Sequence, residues 1–124
     1  MKLKASKMLE LASIYKTFGG VQAVKDVSLK LNSGEVHGLI GPNGAGKTTL
    51  INLISGILAH SKGTLLLGGR PLDGMKANQR ADLGISRTFQ NLRTFSNLSV
   101  SQNIDVGRYT AIRSGRITDK LISG

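Results

Sequence analysis

The 124-residue chain contains no cysteine and no tryptophan. Without thiols it can build neither a disulfide framework nor a thiolate metal site, which fits a cytosolic protein. Acidic residues are scarce, 7 Asp and Glu in all, and they nowhere cluster, so a metal centre of neighbouring carboxylates is not available. The two histidines, His37 and His60, have no sequence neighbour that suggests a metal or nucleophilic pairing; His37 is expected to be packed or hydrogen-bonded and His60 exposed. No apolar run approaches the roughly 20 residues of a membrane span. The basic start, Met1 to Lys7, is not followed by the apolar core and cleavage site of a secretion signal. The chain therefore reads as soluble and as at most one domain.

Charge of one sign dominates: 17 Lys and Arg against 7 acidic residues give a formal net charge of +10. Such an excess raises nucleic acid or an anionic membrane surface as a partner. The cations are spread thinly, from Lys2, Lys4 and Lys7 through Lys16, Lys25 and Lys30 to Arg80, Arg108 and Arg116, without a block of like charges. Aromatic residues make up 4%, too few for a platform of interleaved rings on which bases stack. A solvated basic surface is the preferred account, and nucleic acid is disfavoured.

Against these absences stands one dense motif, Gly41-Pro42-Asn43-Gly44-Ala45-Gly46-Lys47-Thr48. The pattern G-x-x-x-x-G-K-[ST] suits a triphosphate because its glycines turn backbone N–H groups inward toward anionic oxygens, while the following helix points its positive end at them. Lys47 would reach the terminal phosphates. The Thr48 hydroxyl would meet a bridging Mg2+, a hard cation that prefers oxygen ligands and keeps most of its waters. A glycine-rich turn without a ligand is the alternative, but both flanks match the required context. Before the loop, Val36 to Ile40 is short and nearly all apolar, as a strand buried on both faces should be. After it, Leu50, Leu53, Ile54, Ile57 and Leu58 follow helical spacing with one face for the core.

The remaining elements are expected in order. Met8 to Ala12 and Val24 to Leu31 read as strands, the second alternating as an antiparallel strand with one wet face. Between them Tyr15 to Gly20 reads as a glycine-closed loop. Spacing leaves Phe18 open as either a half-buried core ring or a ring that stacks on a purine base. Thr64 to Leu67 reads as a strand turned by Gly68-Gly69 into a hairpin with Arg70-Pro71-Leu72. Met75 to Leu83 reads as a short helix ended by Gly84, and Ile85 to Phe89 as a returning strand. Ser99-Val100-Ser101-Gln102 fits a capping box that starts a helix toward Gly107 or beyond. Past Arg108 no clear period remains, and Arg113 to Arg116 and Ile122 to Gly124 look like an unfinished element.

From about Leu9 to Arg108 the chain resembles the first half of an ATP-binding cassette (ABC) transporter ATPase. Gly41 to Thr49 matches that family's form of the phosphate loop. Phe18, in Phe18-Gly19-Gly20, matches the position of the family's adenine-stacking aromatic, and Tyr15 does not. Gln90 matches the Q-loop glutamine, implied to reach Mg2+ and the attacking water. The run Ile85 to Arg93, with Phe95 and Leu98-Ser99-Val100, looks most like the branched-chain amino acid import subfamily. The resemblance implies an α/β fold: a P-loop NTPase core with a mixed sheet, an antiparallel β subdomain, and a helical subdomain beginning near Ser99.

It also implies ATP and Mg2+ as cofactors, a second ATPase subunit, and a permease engaged through the Q-loop surface from Gln90 to Phe95. The protein would then sit at the cytoplasmic face of the inner membrane, attached peripherally. The Leu-Ser-Gly-Gly-Gln signature, the second Walker motif and the switch histidine do not occur in the sequence. The chain is accordingly expected to be an N-terminal part of one nucleotide-binding domain that does not hydrolyse ATP alone. Two further readings stay open: a non-catalytic remnant, and a soluble cassette ATPase acting on nucleic acid or the ribosome.

Overall fold

The computed structural model describes residues 8–91 and 94–113, which fall into two compact units joined between Arg80 and Ala81. The first unit is built on β1 (Leu9–Phe18), β2 (Val21–Leu31), β3 (Lys62–Leu67) and β4 (Arg70–Pro71), with helix α1 (Lys47–Ser55) between β2 and β3. The strands form one antiparallel sheet in the order β2-β1-β3-β4. Gly68 and Gly69, with φ of 57° and 77°, supply the two positive φ values a tight hairpin needs, so Leu67 pairs with Arg70 as expected.

β1 and β2 are longer than the sequence suggested, because Tyr15 to Phe18 continue the ladder and only Gly19-Gly20 remain as the loop. Each strand carries a residue with positive φ, Ser13 at 47° and Asp26 at 50°. These bulges shift the side-chain phase by one residue. Leu11 and Ile14, three apart, are therefore both buried in β1, and Val24 is buried with half-buried Val27 in β2. The Ser13 N–H is satisfied by the Ser28 hydroxyl at 2.9 Å. Leu50 and Leu53 of α1 with Leu65 and Leu72 complete the core, and α1 packs against β2.

Two expected strands are not formed. Val36 to Ile40 forms no regular element, with Val36 98% and Ile40 94% exposed. A strand buried on both faces needs a neighbour along each edge, and among the described residues none pairs with it. Ile85 to Phe89 is likewise outside any ladder. The helix also stops before Ile57 and Leu58: Gly56 adopts φ 81°, and the Ile57 and Leu58 N–H groups turn back to the Asn52 carbonyl oxygen at 3.0 and 3.1 Å.

Helix α2 (Ala77–Asp82) is shorter at both ends than the expected Met75 to Leu83, and the Gly84 N–H closes its end by donating to the Ala81 carbonyl oxygen at 2.9 Å. In the second unit, α3 (Val100–Arg113) opens with the expected capping box: the Ser99 N–H donates to Gln102 Oε1 at 2.8 Å, and the Gln102 N–H to Ser99 Oγ at 3.2 Å. α3 continues past Arg108, where the sequence period is lost. Asn103 anchors the preceding turn, accepting from the Phe95 N–H at 2.9 Å and donating to the carbonyls of Phe95, Leu98 and Ser99. The unfinished element expected at 114–124 lies outside the described residues.

Candidate functional site

The phosphate-loop residues form one connected turn. Gly41 is half-buried, Pro42 to Ala45 are exposed, and the Ala45 N–H donates to the Pro42 carbonyl oxygen at 3.2 Å. Gly44 and Gly46 have φ of 84° and 93°, the left-handed conformation that aims successive N–H groups into one concavity. At Gly46 the close approach matters as well, since a Cβ there would lie 2.3 Å from the Ala23 carbonyl oxygen of β2.

Helix α1 begins at Lys47 with no side-chain cap and no acidic residue in its first turn. Its leading N–H groups have no acceptor one turn back, so they and the helix dipole are available to an anion. Thr48 is exposed on that turn and Thr49 is half-buried behind it. The Lys47 ammonium folds onto the loop, donating to the Gly41 carbonyl oxygen and to that of Pro42 at 2.7 Å. A cation held by neutral carbonyls keeps its full charge, which a phosphate can recruit. A cavity of about 400 Å³ opens beside the loop, bounded by Ala23, Val24, Ile40, Gly46, Lys47 and Leu50. The backbone and charge thus fit a phosphate chain. Among the described residues no group of three or more His, Asp or Glu could hold a metal. A single hydroxyl, from Thr48, suits a Mg2+ held mostly by phosphate oxygens and water.

Phe18 ends β1 with 44% of its surface exposed, so it is not a core ring. Gln90 belongs to the second unit, where it is exposed and lines a shallow concavity with Arg87, Phe89 and Asn91. The Arg87 guanidinium lies 4.6 Å from the Phe89 ring centroid. Of the surface expected to meet a permease, Leu92 and Arg93 lie outside the described residues, and Phe95 is exposed.

Three features escaped the sequence reading. Lys16, one of the scattered cations, lies over the Phe18 ring at 4.8 Å. Arg80 is 3% exposed and donates to four carbonyl oxygens. His60 is not exposed: its side chain keeps 14% of its surface and meets the Asp73 carboxylate at 3.0 Å. His37 is hydrogen-bonded as expected, to Glu35 at 3.0 Å, but it remains open to solvent. None of these carries a sequence signature, since each depends on residues distant in the chain or on the local turn.

The loop, the uncapped helix and the antiparallel sheet define an α/β protein with a glycine-rich turn leading into α1. The ABC transporter family matches residues 24–123, and the chain belongs to that family. It is 40% identical over 114 residues to the high-affinity branched-chain amino acid transport ATP-binding protein LivG of Salmonella typhimurium, covering 92% of this chain and 45% of LivG. It is 43% identical over 113 residues to the ribose import ATP-binding protein RbsA 2 of Streptomyces avermitilis, covering 91% of this chain and 22% of that protein. Among solved structures, the ATP-binding cassette MJ1267 of an ABC transporter superposes with a TM-score of 0.66 at 36% identity, over 70% of this chain and 34% of MJ1267. A nucleotide-free ATP-binding cassette from an ABC transporter also gives 0.66, at 28% identity, over 86% of this chain and 48% of its own. The chain spans just under half the length of LivG. No helix among the described residues is long and apolar enough to cross a membrane.

Proposed function

We propose that the chain is the ATP-binding part of an ABC importer subunit, coupling ATP binding and hydrolysis to branched-chain amino acid uptake. The carrying observation is the uncapped α1 N-terminus behind left-handed Gly46, with Lys47 at its mouth; identity to LivG supports the substrate class. In this reading residues 1–124 are the N-terminal part of one nucleotide-binding domain, with the phosphate loop at 41–48, the Q-loop near Gln90 and the helical subdomain from about Ser99. Gly41 to Thr49 hold the triphosphate, Phe18 stacks on adenine, Thr48 serves Mg2+, which would neutralise charge developing on the transferred phosphate, and Gln90 takes the role the Q-loop resemblance implies. Turnover is assigned to the full-length protein, working as a pair of ATPase subunits on a permease at the cytoplasmic face of the inner membrane.

Titration of the chain with Mg-ATP tests the reading. Lys47→Ala is expected to weaken binding by at least about tenfold, since a charge-assisted hydrogen bond contributes about 1.5–3 kcal/mol; equal affinity of both proteins would refute it. The identity to RbsA 2 favours a second substrate, ribose. Uptake of labelled leucine against labelled ribose in cells lacking the full-length gene separates the two.

A further inference from the structure

Lys16 occupies one side of the Phe18 ring. Its Nζ lies 4.8 Å from the ring centroid and also donates to the Ala59 carbonyl oxygen at 2.7 Å. That acceptor is itself held in place. Two residues on, the Ser61 N–H donates to the Tyr15 carbonyl oxygen at 2.8 Å, and the Ser61 hydroxyl accepts from the Thr17 N–H at 3.1 Å. The segment from Ala59 to Ser61 is therefore latched along the end of β1, and it fixes the ammonium on the ring. Phe18 nevertheless keeps 44% of its surface exposed, enough to receive a planar group.

We propose that Lys16 is a positioning residue for a purine base: it fixes the Phe18 ring and leaves a single, electron-depleted face for stacking. Two aromatic faces repel when stacked squarely, because both carry negative quadrupole density. A cation on the far side draws that density away and stays attracted to the ring. The inference rests on the reading of Phe18 as the stacking ring.

Affinities for Mg-ATP and for inorganic tripolyphosphate, which has no base, test it in the wild-type chain, Lys16→Ala, Lys16→Arg, Phe18→Ala and the Lys16→Ala/Phe18→Ala double variant. Lys16→Ala is expected to weaken ATP about two- to fivefold, with tripolyphosphate changed less than about twofold. Lys16→Arg, which keeps a cation over the ring, should retain ATP affinity, and Lys16→Ala should add nothing once Phe18 is gone. Equal loss for both ligands, or continued loss without Phe18, would show a general charge effect and overturn the proposal. If Phe18→Ala weakens ATP while Lys16→Ala does not, the proposal fails and the stacking reading stands. If Phe18→Ala leaves ATP affinity unchanged, both fall.

Discussion

The Arg80 guanidinium donates to the Leu53 carbonyl oxygen at 2.7 Å, closing the C-terminal end of the helix whose N-terminal end carries Lys47. The same group reaches the carbonyls of Ile54, Leu72 and Met75 at 3.0, 2.9 and 3.1 Å. A cation at the negative end of a helix dipole is favourable there. Burial pushes the Arg80 pKa below its ordinary value, and the Asp73 charge partly opposes that shift.

Arg80→Met keeps much of the volume but removes one donor from each of four carbonyls, of which those of Leu53 and Leu72 still accept from the Gly56 and Met75 N–H groups at 3.3 and 3.1 Å. An unsatisfied buried acceptor costs about 1–3 kcal/mol, and some of the four regain water, so a loss of about 3 kcal/mol is expected. Arg80→Lys should recover only part of it, because one ammonium cannot span four carbonyls. Urea unfolding with an unchanged slope measures both; a loss below about 1 kcal/mol for Arg80→Met would contradict the clamp.

Gly56→Ala tests the same junction from the helix side. The new Cβ would lie 2.9 Å from Arg80 Cδ and Nε and 3.1 Å from the Ala77 nitrogen, at φ 81°. The Arg80 side chain is pinned by its hydrogen bonds and cannot swing aside cheaply. A destabilisation of about 2 kcal/mol is expected from strain and displacement together. Gly20→Ala, where nothing lies within 4 Å, is the control and should stay within about 0.5 kcal/mol.

What could be read from sequence was what the chain encodes locally. The glycine turn through Gly44 and Gly46, the Gly68-Gly69 turn and the Ser99–Gln102 capping box depend on residues a few positions apart, and each lies where the local sequence places it. The bulges were also visible in principle, because Leu11 and Ile14, like Val24 and Val27, break the two-residue period by one. Val36 to Ile40 failed because hydrophobicity marks a segment for burial without supplying the strands that bury it. Arg80 was invisible for a related reason. Its acceptors come from α1, the end of the β4 hairpin and the turn before α2, which meet only in the folded unit.

Glu35 gives a prediction in pH. The Asn32 side-chain and backbone hydrogen bonds, followed by that of His37, lower its pKa from 4.5 to about 2. A depressed carboxylate pKa stabilises the turn fully above 4.5, and the contribution is lost as pH falls from there through about 2. An NMR titration of the Glu35 carboxyl should show a midpoint near 2, moving up toward 4.5 in Asn32→Ala. A wild-type midpoint at the ordinary value would rule the turn out.

At the start of α3, Ser99→Ala removes one half of the capping box and should cost that helix about 1 kcal/mol. Asn103→Ala should free the turn from Phe95 to Ser99, since its amide makes four hydrogen bonds there. Amide exchange is the readout. The Gln102 N–H, held by Ser99 Oγ, should exchange faster in Ser99→Ala, and the Phe95 N–H faster in Asn103→Ala. Unchanged protection at both would mean that the caps do not hold this turn in solution.

Gly46→Ala separates the shape of the phosphate loop from its charge. The added Cβ would come within 2.3 Å of the Ala23 carbonyl oxygen at a φ of 93°, so either the loop or β2 must move. Backbone oxygen cannot rotate away as a side chain can, and a cost of about 2–3 kcal/mol is expected in urea unfolding. The same displacement turns the leading N–H groups of α1 away from the concavity, and Mg-ATP affinity should fall by more than about tenfold. Lys47→Ala removes the charge and its hydrogen bonds to the Gly41 and Pro42 carbonyls without adding a backbone clash, so it should reduce affinity while costing less stability than Gly46→Ala, about 1 kcal/mol. If Gly46→Ala lowered stability but bound Mg-ATP as tightly as the wild type, the concavity formed by Gly44, Gly46 and the α1 N-terminus would not be where the phosphates sit.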